Sequence, residues 1–498
     1  MEKKMTKIIA SVSDLRCDVE FIRSLYEAGM NVVRMNTAHI EDEGFLRVIA
    51  NTRAVSKDIA IMVDTKGPEI RTTKTETGEG LKMVAGRRTK IVGNPDQLTS
   101  EECIAVSYKK IAEDLNVGDS LLLDDGEIEI KVVEKLSDAL IGEVQNDGVL
   151  GSRKSVNVPG VRINLPSVTG KDLHFLKMAI ENDVDFIAHS FVRNKEDVAE
   201  IQKILDEYNS DIKIIAKIEN QEGVDKIDEI LNVAYGVMVA RGDLGIEVPQ
   251  EKIPGIQRAI IRRAVRHKKP VIVATQMLQS MIENPRPTRA EVTDVANAIY
   301  YRTDAIMLSG ETAYGKYPVE AVRTMAKIAK EAELSKVREN DIKVTFEPEE
   351  HDTTMFLAET AAAAAWEMGT KAIITDSYTG KTARYLAAYR SPNPIFALCY
   401  KERVTRQLAL SYGVFASYQP KRDTNREYLL EAMKDFHESG LISDDDFICY
   451  LSGSFGVGNG TTFLEINQVK RLLGDQEKYQ LPVFSRKDQA EKQAKDGE

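Results

Sequence analysis

The chain has 498 residues, 43% of them hydrophobic and 29% charged, which is enough apolar material for several packed domains and excludes a disordered or collagen-like chain. With 67 basic against 78 acidic residues the net charge is −11, which argues against a partner such as nucleic acid or an anionic membrane but leaves room for a local cationic pocket that takes a small anion. Four scattered cysteines (Cys17, Cys103, Cys399, Cys449) without a CxxC pair, no secretory signal and no apolar run of about 18 residues point to a cytoplasmic chain without disulfides, structural zinc or a membrane span.

Short apolar, β-branched runs recur at 6–12, 30–36, 59–65, 185–191, 212–219, 236–243, 270–277 and 305–311. They lack polar–apolar alternation, as strands buried on both faces of a parallel sheet do. Helix-like stretches lie between them. One covers 13–28, and another opens near Thr169, where Thr169 and Asp172 have capping-box spacing. Eight strands alternating with helices predict a (β/α)8 barrel or a large doubly wound sheet. Successive runs start roughly 25–35 residues apart, except for one gap of roughly 125 after the third. That gap holds short alternating strands with Gly and Asp-Gly turns, so a small β-rich domain is expected over 71–159, inserted into a barrel formed by 1–70 and 160–345. After a charged stretch near 340–352 the rhythm resumes, with a helix at 353–368 and then strands at 371–377, 394–400, 413–418 and 446–454 alternating with helices at 381–390, 401–412 and 426–436. This predicts an α/β domain over 346–485, followed by a polar tail at 486–498.

A (β/α)8 barrel carries its catalytic groups at the C-terminal ends of its strands. Here the second run ends in Arg34 and Asn36, the third in Asp64 and Thr65, and the fifth in Lys217 and Glu219. The sixth ends in Arg241 and Asp243, the seventh in Thr275 and Gln276, and the eighth in Ser309 and Glu311. One such residue is usually a solvated cap; six strands ending this way are not explained by capping. Glu219 and Asp243 lie about one βα repeat apart, which sets two carboxylates side by side and suits Mg2+ or Mn2+. The competing reading is an acid pair neutralised by Arg241 or Lys217. Lys217 points to the same side of its strand as Glu219 and beside a dication would bind a polyanion such as phosphate; the alternative is a salt bridge to one of the acids. The six histidines form no HxxxH or HxH pair and no GxxxxGK[ST] occurs, so neither a histidine metal site nor a P-loop is supported.

In the C-terminal segment, Ser377, Thr379, Gly380, Lys381 and Thr382 place hydroxyls, free N–H groups and a cation where a strand gives way to a helix, a phosphate-binding arrangement. The glycine-rich stretch 452–462 would fold over it as a flap. The alternative is an ordinary capped helix beside a flexible turn.

The motifs VVRMNTAH (32–39), MVDTKGPEIRT (62–72), LPSVTGKD (165–172), IIAKIENQEG (214–223), VMVARGDLGIEVP (237–249), ATQMLQSM (274–281), PRPTRAEVTDVANA (285–298) and MLSGETAYGKYP (307–318) resemble those of pyruvate kinases. The resemblance runs over nearly the whole chain, and AKIEN with MVARGDLG is its most specific part. It implies a (β/α)8 barrel with an inserted β-barrel-like lid and a C-terminal α/β domain. The implied activity is transfer of the phosphoryl group of phosphoenolpyruvate to ADP, giving ATP and pyruvate in the final step of glycolysis, by a homotetramer.

Carried over residue by residue, Glu219 and Asp243 match the divalent-ion ligands, and Lys217 the group that stabilises the transferring phosphoryl and the enolate oxygen. Arg34 matches the phosphate-binding arginine, Gly242 a backbone donor to the substrate carboxylate, Asp243 also a substrate contact, and Thr275 a contact that relays a proton to C3. Asn36, Asp64 and Thr65 match K+ ligands, and Asn36, His39, Arg71 and Lys154 nucleotide-side positions. Residues 375–384 resemble the family's effector loop for phosphorylated sugars, with the effector left open among fructose bisphosphate, a sugar monophosphate and AMP. One position departs from the pattern: Ala38 stands where members commonly have serine, a K+ ligand, whereas Glu69 is the residue type that accompanies K+ dependence, so K+ dependence is expected. Two other readings compete. A metal-dependent aldolase acting on pyruvate enolates would need neither the insertion, a nucleotide site nor the C-terminal domain. An inactive metabolite-binding paralogue sits poorly with intact Lys217, Glu219, Asp243 and Thr275.

Overall fold

In a computed structural model, residues 4–335, 339–344, 352–420, 425–453 and 460–474 are described. Eight parallel strands close into a barrel: Lys7–Ser11, Val32–Asn36, Ala60–Asp64, Phe186–His189, Lys213–Ile218, Gly236–Ala240, Val271–Ala274 and Ala305–Leu308. Neighbours around the ring follow chain order, and the eighth strand pairs with the first. Each strand falls within one of the apolar runs. The absence of alternation has the expected cause: one face fills the barrel interior with residues such as Ile9, Met62, Phe186 and Met238, and the other packs against the surrounding helices.

The helix predicted over 13–28 begins only at Val19, because Asp18 caps it by accepting from the Phe21 N–H and leaves 13–18 as loop. The helix Gly170–Glu181 opens with the expected Thr169/Asp172 capping box.

Between the third and fourth barrel strands lies a seven-stranded sheet. In spatial order its strands are Ile70–Arg71, Ser155–Asn157, Ser120–Leu123, Ile128–Lys135, Ala139–Val144, Arg88–Val92 and Cys103–Ala105. A bridge between Thr72 and Val106 joins its two edges, so the sheet curls round its own apolar core into a barrel-like lid.

The C-terminal sheet runs Val414–Tyr418, Ile395–Cys399, Ala372–Ser377, Phe447–Ser452, Phe463–Gln468. The first four strands are parallel; the last is antiparallel to its neighbour and was not expected from sequence. The helix predicted over 401–412 stops at Gln407 and tightens into a 3-10 turn, Leu408–Leu410. The tighter turn lets Leu408 enter the C-terminal core while Leu410 joins the barrel interior. Two buried ion pairs fasten the domains: Arg390 with Asp304, just before the eighth barrel strand, and Arg406 with Asp185, just before the fourth. The polar tail 486–498 lies outside the described residues. Among the described residues no helix is long and apolar enough to cross a membrane.

Candidate active site

Register places Asn36 beside Asp64 at the ends of the second and third barrel strands. From the same strand end the Arg34 guanidinium reaches Asp64 (Nε to Oδ2, 2.8 Å) and Ser11 Oγ (3.0 Å). Asp64 is fully enclosed. Burial alone would favour its neutral form, but Arg34 and Lys217 hold its carboxyl below the usual carboxylate value.

Lys217 sits at the centre of the cluster. Its Nζ lies 2.7 Å from Ser190 Oγ, 3.0 Å from Asp64 Oδ1 and 2.8 Å from Glu219 Oε1. Burial works against the ammonium, yet Asp64, Glu219 and Asp243 outweigh it and raise its pKa above that of an ordinary lysine. Glu219 is 0% exposed. Its Oε2 accepts from the Phe191 N–H at 2.7 Å, while Oε1 faces Lys217 without a well-directed hydrogen bond. Burial pushes the Glu219 carboxyl up, Asp243 adds to the rise, and Lys217 opposes it.

The sixth strand passes directly into the short helix Arg241–Glu247, which sets Asp243 in its first turn, half-buried and close enough to act electrostatically on both Lys217 and Glu219. The Gly242 N–H donates to Thr275 Oγ1 at 2.8 Å. Thr275 and Gln276 both adopt left-handed backbone conformations, at φ 67° and 53°, a strain that concentrates at functional sites. Arg241 holds that turn by donating to Thr275 O at 2.7 Å, and pairs with Asp294. Of the two neutralising groups considered for the acids, Lys217 meets Glu219, whereas Arg241 is engaged elsewhere.

Among the described residues no three His, Cys, Asp or Glu side chains converge into a closed metal cage. Glu219 and Asp243 nevertheless fit a hard divalent ion: both are oxygen donors, and Glu219 Oε1, although 2.8 Å from Lys217 Nζ, takes no well-directed hydrogen bond among the described residues. Mg2+ characteristically takes one or two carboxylates and completes its shell with water and phosphate oxygens.

The remaining candidates are spread more widely. His39 is exposed on the loop after Asn36. Arg71 and Lys154 belong to the lid, where Arg71 makes a bidentate pair with Glu69 (2.9 and 2.8 Å) and Lys154 pairs with Asp124 (2.9 Å). Their side chains engage the lid and not the barrel cluster. Ser377, Thr379, Gly380, Lys381 and Thr382 lie in the C-terminal domain at the start of the helix Lys381–Tyr389. There Ser377 Oγ accepts from Gly380 N–H (3.0 Å), Lys381 pairs with Asp352 (3.0 Å), and Thr382 Oγ1 meets Thr461 Oγ1 (2.7 Å). The Thr382–Thr461 contact brings one end of the glycine-rich stretch beside this loop; residues 454–459 of that stretch lie outside the described residues.

Sequence reasoning passed over Ser190, which contacts Lys217, Asp64 and Thr65. The available signal was the fourth apolar run, which also ends in polar residues, His189 and Ser190. His189 itself is sealed beneath the site. Among the described residues neither ring nitrogen has a hydrogen-bond partner, and burial pushes its pKa down to about 4, which favours the neutral ring.

Comparison with known proteins agrees with this architecture. Residues 3–322 match the family model for the pyruvate kinase barrel domain and residues 356–466 that for the pyruvate kinase alpha/beta domain. A pyruvate kinase of Borreliella burgdorferi is 46% identical over 484 residues, covering 95% of this chain and 99% of the relative; one of Bacillus licheniformis is 42% identical, covering 93% and 80%. A crystal structure of a pyruvate kinase from Cryptosporidium parvum superposes with a TM-score of 0.88 at 35% identity, covering 94% of this chain and 96% of the other. An aldolase reading accounts for neither the α/β domain nor these matches and is not favoured. Agreement in sequence over nearly the whole length, in both domain models and in fold shows that the chain belongs to the pyruvate kinase family.

Proposed function

We propose that this member of the family transfers the phosphoryl group of phosphoenolpyruvate to ADP, giving ATP and pyruvate, at the strand-end cluster around Lys217. The observation that carries this assignment is a buried Lys217, its ammonium form favoured by the acids around it, with Arg34 at its side and both paired with Asp64. Phosphoryl transfer needs little covalent help from the protein; positioning and neutralisation of spreading negative charge dominate. Arg34 binds the substrate phosphate, and Lys217 meets the charge that develops on the transferring phosphoryl and on the enolate oxygen. Glu219 and Asp243 would hold Mg2+ or Mn2+, which would supply Lewis-acid charge neutralisation when bound. The Gly242 N–H, now donating to Thr275 Oγ1, serves the substrate carboxylate, and the Thr275 hydroxyl, which donates to the Ala274 carbonyl at 2.6 Å, redirects that proton in the delivery to C3 of the enolate. Asn36, His39, Arg71 and Lys154 face the nucleotide when the lid closes and excludes water. The test is a coupled assay with Mg2+: pyruvate must appear only when ADP is present. Pyruvate formed without ADP, or no pyruvate at all, contradicts the reading.

Asn36, Asp64 and Thr65 would hold K+, with Asp64 shared between the ion and its present partners Arg34, Lys217 and Ser190. Ala38 brings no side-chain oxygen to it, and its N–H occupies one lone pair of Asn36 Oδ1 at 3.0 Å. Ala38→Ser adds one hard ligand, so the half-saturating KCl concentration at constant ionic strength is expected to fall. Identical half-saturation in the two proteins would place position 38 outside the coordination shell.

The loop at Ser377–Thr382 binds a phosphometabolite that favours an active state of a homotetramer. With a panel of sugar phosphates and AMP, one compound is expected to lower the half-saturating phosphoenolpyruvate concentration, and Thr382→Glu to abolish that response by charge repulsion. Activation that survives Thr382→Glu places the effector elsewhere. Light scattering reads the tetramer directly. The free cysteines fit a reducing cytoplasm.

A further inference from the structure

We propose that Ser190 is a positioning residue for Lys217: its hydroxyl aims the buried ammonium at the transferring phosphoryl. This inference rests on the kinase reading above and deepens it.

Ser190 is 2% exposed and follows the fourth barrel strand immediately. Its Oγ accepts from Lys217 Nζ at 2.7 Å and donates to the Thr65 carbonyl at 2.7 Å, with Asp64 Oδ1 at 3.2 Å as the second acceptor within reach. Its backbone N–H donates to Thr65 Oγ1 at 3.0 Å, so main chain and side chain both dock on the end of the third strand. The next residue, Phe191, takes a left-handed backbone (φ 57°) and donates its N–H to Glu219 Oε2 at 2.7 Å. A two-residue turn thus ties the ends of the third, fourth and fifth strands together around one ammonium group.

An ammonium has three N–H donors, and Lys217 has three oxygen partners: Ser190, Asp64 and Glu219. The two acids attract it as charges. Ser190 differs from them: because its own proton goes to a fixed carbonyl, its lone pairs are fixed in direction and set the angle of one N–H. The turn has little slack. A Cβ built on Gly67, itself at φ 69°, would lie 2.9 Å from Ser190 Cβ, so the loop after the third strand packs directly on the serine. Without the hydroxyl, Lys217 is left between two carboxylates, Asp64 at the end of the third strand and Glu219 at the end of its own, and swings toward them, and a small displacement of a charge that acts on the transition state lowers turnover more than binding.

The experiment compares Ser190→Ala and Ser190→Cys with the parent, each alone and combined with Lys217→Met, in the ADP-dependent assay and in thermal melting. Alanine removes the oxygen without adding bulk; cysteine keeps the size but is a poor acceptor. Both are expected to lower kcat by about ten- to a hundredfold, the scale of one hydrogen bond to a charged group, with KM for phosphoenolpyruvate within about threefold of the parent. In the Lys217→Met background, followed at high enzyme concentration, either change is expected to cost less than about twofold, because a residue that acts through Lys217 has nothing left to aim. A merely structural role would lower melting temperature and activity alike in both backgrounds, and that additive pattern overturns the proposal. So does a kcat within about twofold of the parent for either single variant. A parent that makes no ADP-dependent pyruvate overturns the kinase reading instead; an active parent with unaffected variants overturns only the role of Ser190.

Discussion

Lys217→Met is expected to lower kcat by on the order of a thousandfold while KM for phosphoenolpyruvate moves by less than about tenfold. The cation is buried against Asp64, Glu219 and Ser190, in surroundings where its charge is little screened. It acts chiefly on charge that appears during transfer, so its loss falls on the transition state and not on the ground-state complex. Methionine keeps the length of the side chain, and Asp64 keeps Arg34 as partner, which limits rearrangement. Steady-state kinetics at saturating Mg2+ read the outcome, with a melting curve as control for folding. Equal losses in binding and turnover contradict the assigned role. Asp243→Asn should differ by raising the Mg2+ concentration needed for half-maximal rate as well as slowing the reaction, since Asp243 is proposed as a direct ligand.

The largest effect on stability is expected at Arg390. Its side chain is 1% exposed, pairs with Asp304 at 2.9 Å and donates to Ala387 O at 2.6 Å. Asp304, 6% exposed, also accepts from the N–H groups of Val271 and Tyr412, so one acid joins the seventh barrel strand to the C-terminal domain. Arg390→Met leaves that carboxylate buried without a counter-charge, which costs about 3–5 kcal/mol. Melting temperature should fall by about 3–5 °C. The exposed pair Arg323–Glu320, 3.9 Å apart, provides the contrast: Arg323→Ala should leave melting unchanged. If both variants melt like the parent, the Arg390 pair does not fasten the domains.

The barrel was legible because its strands are buried on both faces and therefore read as uninterrupted apolar runs; the gap after the third run exposed the insertion without any strand in it being identified with certainty. Strand Phe463–Gln468 was not legible. It is an edge strand, half-buried along its length, and neither alternation nor an apolar run marks FLEINQ. The start of the first helix was placed too early because cap residues must be told apart from helix interior, and Asp18 does so only through its bond to Phe21. Lys217, Glu219 and Asp243 stood out because charges are rare at buried strand ends. Ser190 carries neither charge nor motif weight; its importance appears only when the fold sets it against Lys217 and Thr65, which are distant in sequence.

Leu410 makes the barrel and the C-terminal domain one object mechanically. The barrel interior is completed by this leucine, 0% exposed, on a turn whose preceding residue, Gln407, also accepts from the Tyr235 hydroxyl beneath the sixth strand. A chain cut before residue 352 would therefore be a bottle without its stopper, with a wet hole at the base of an apolar interior. The boundary that composition marks between the two domains is a seam in the text of the chain and not in its packing. The lid is the opposite case: it is attached by two crossings and packs around a core of its own, separate from the barrel interior.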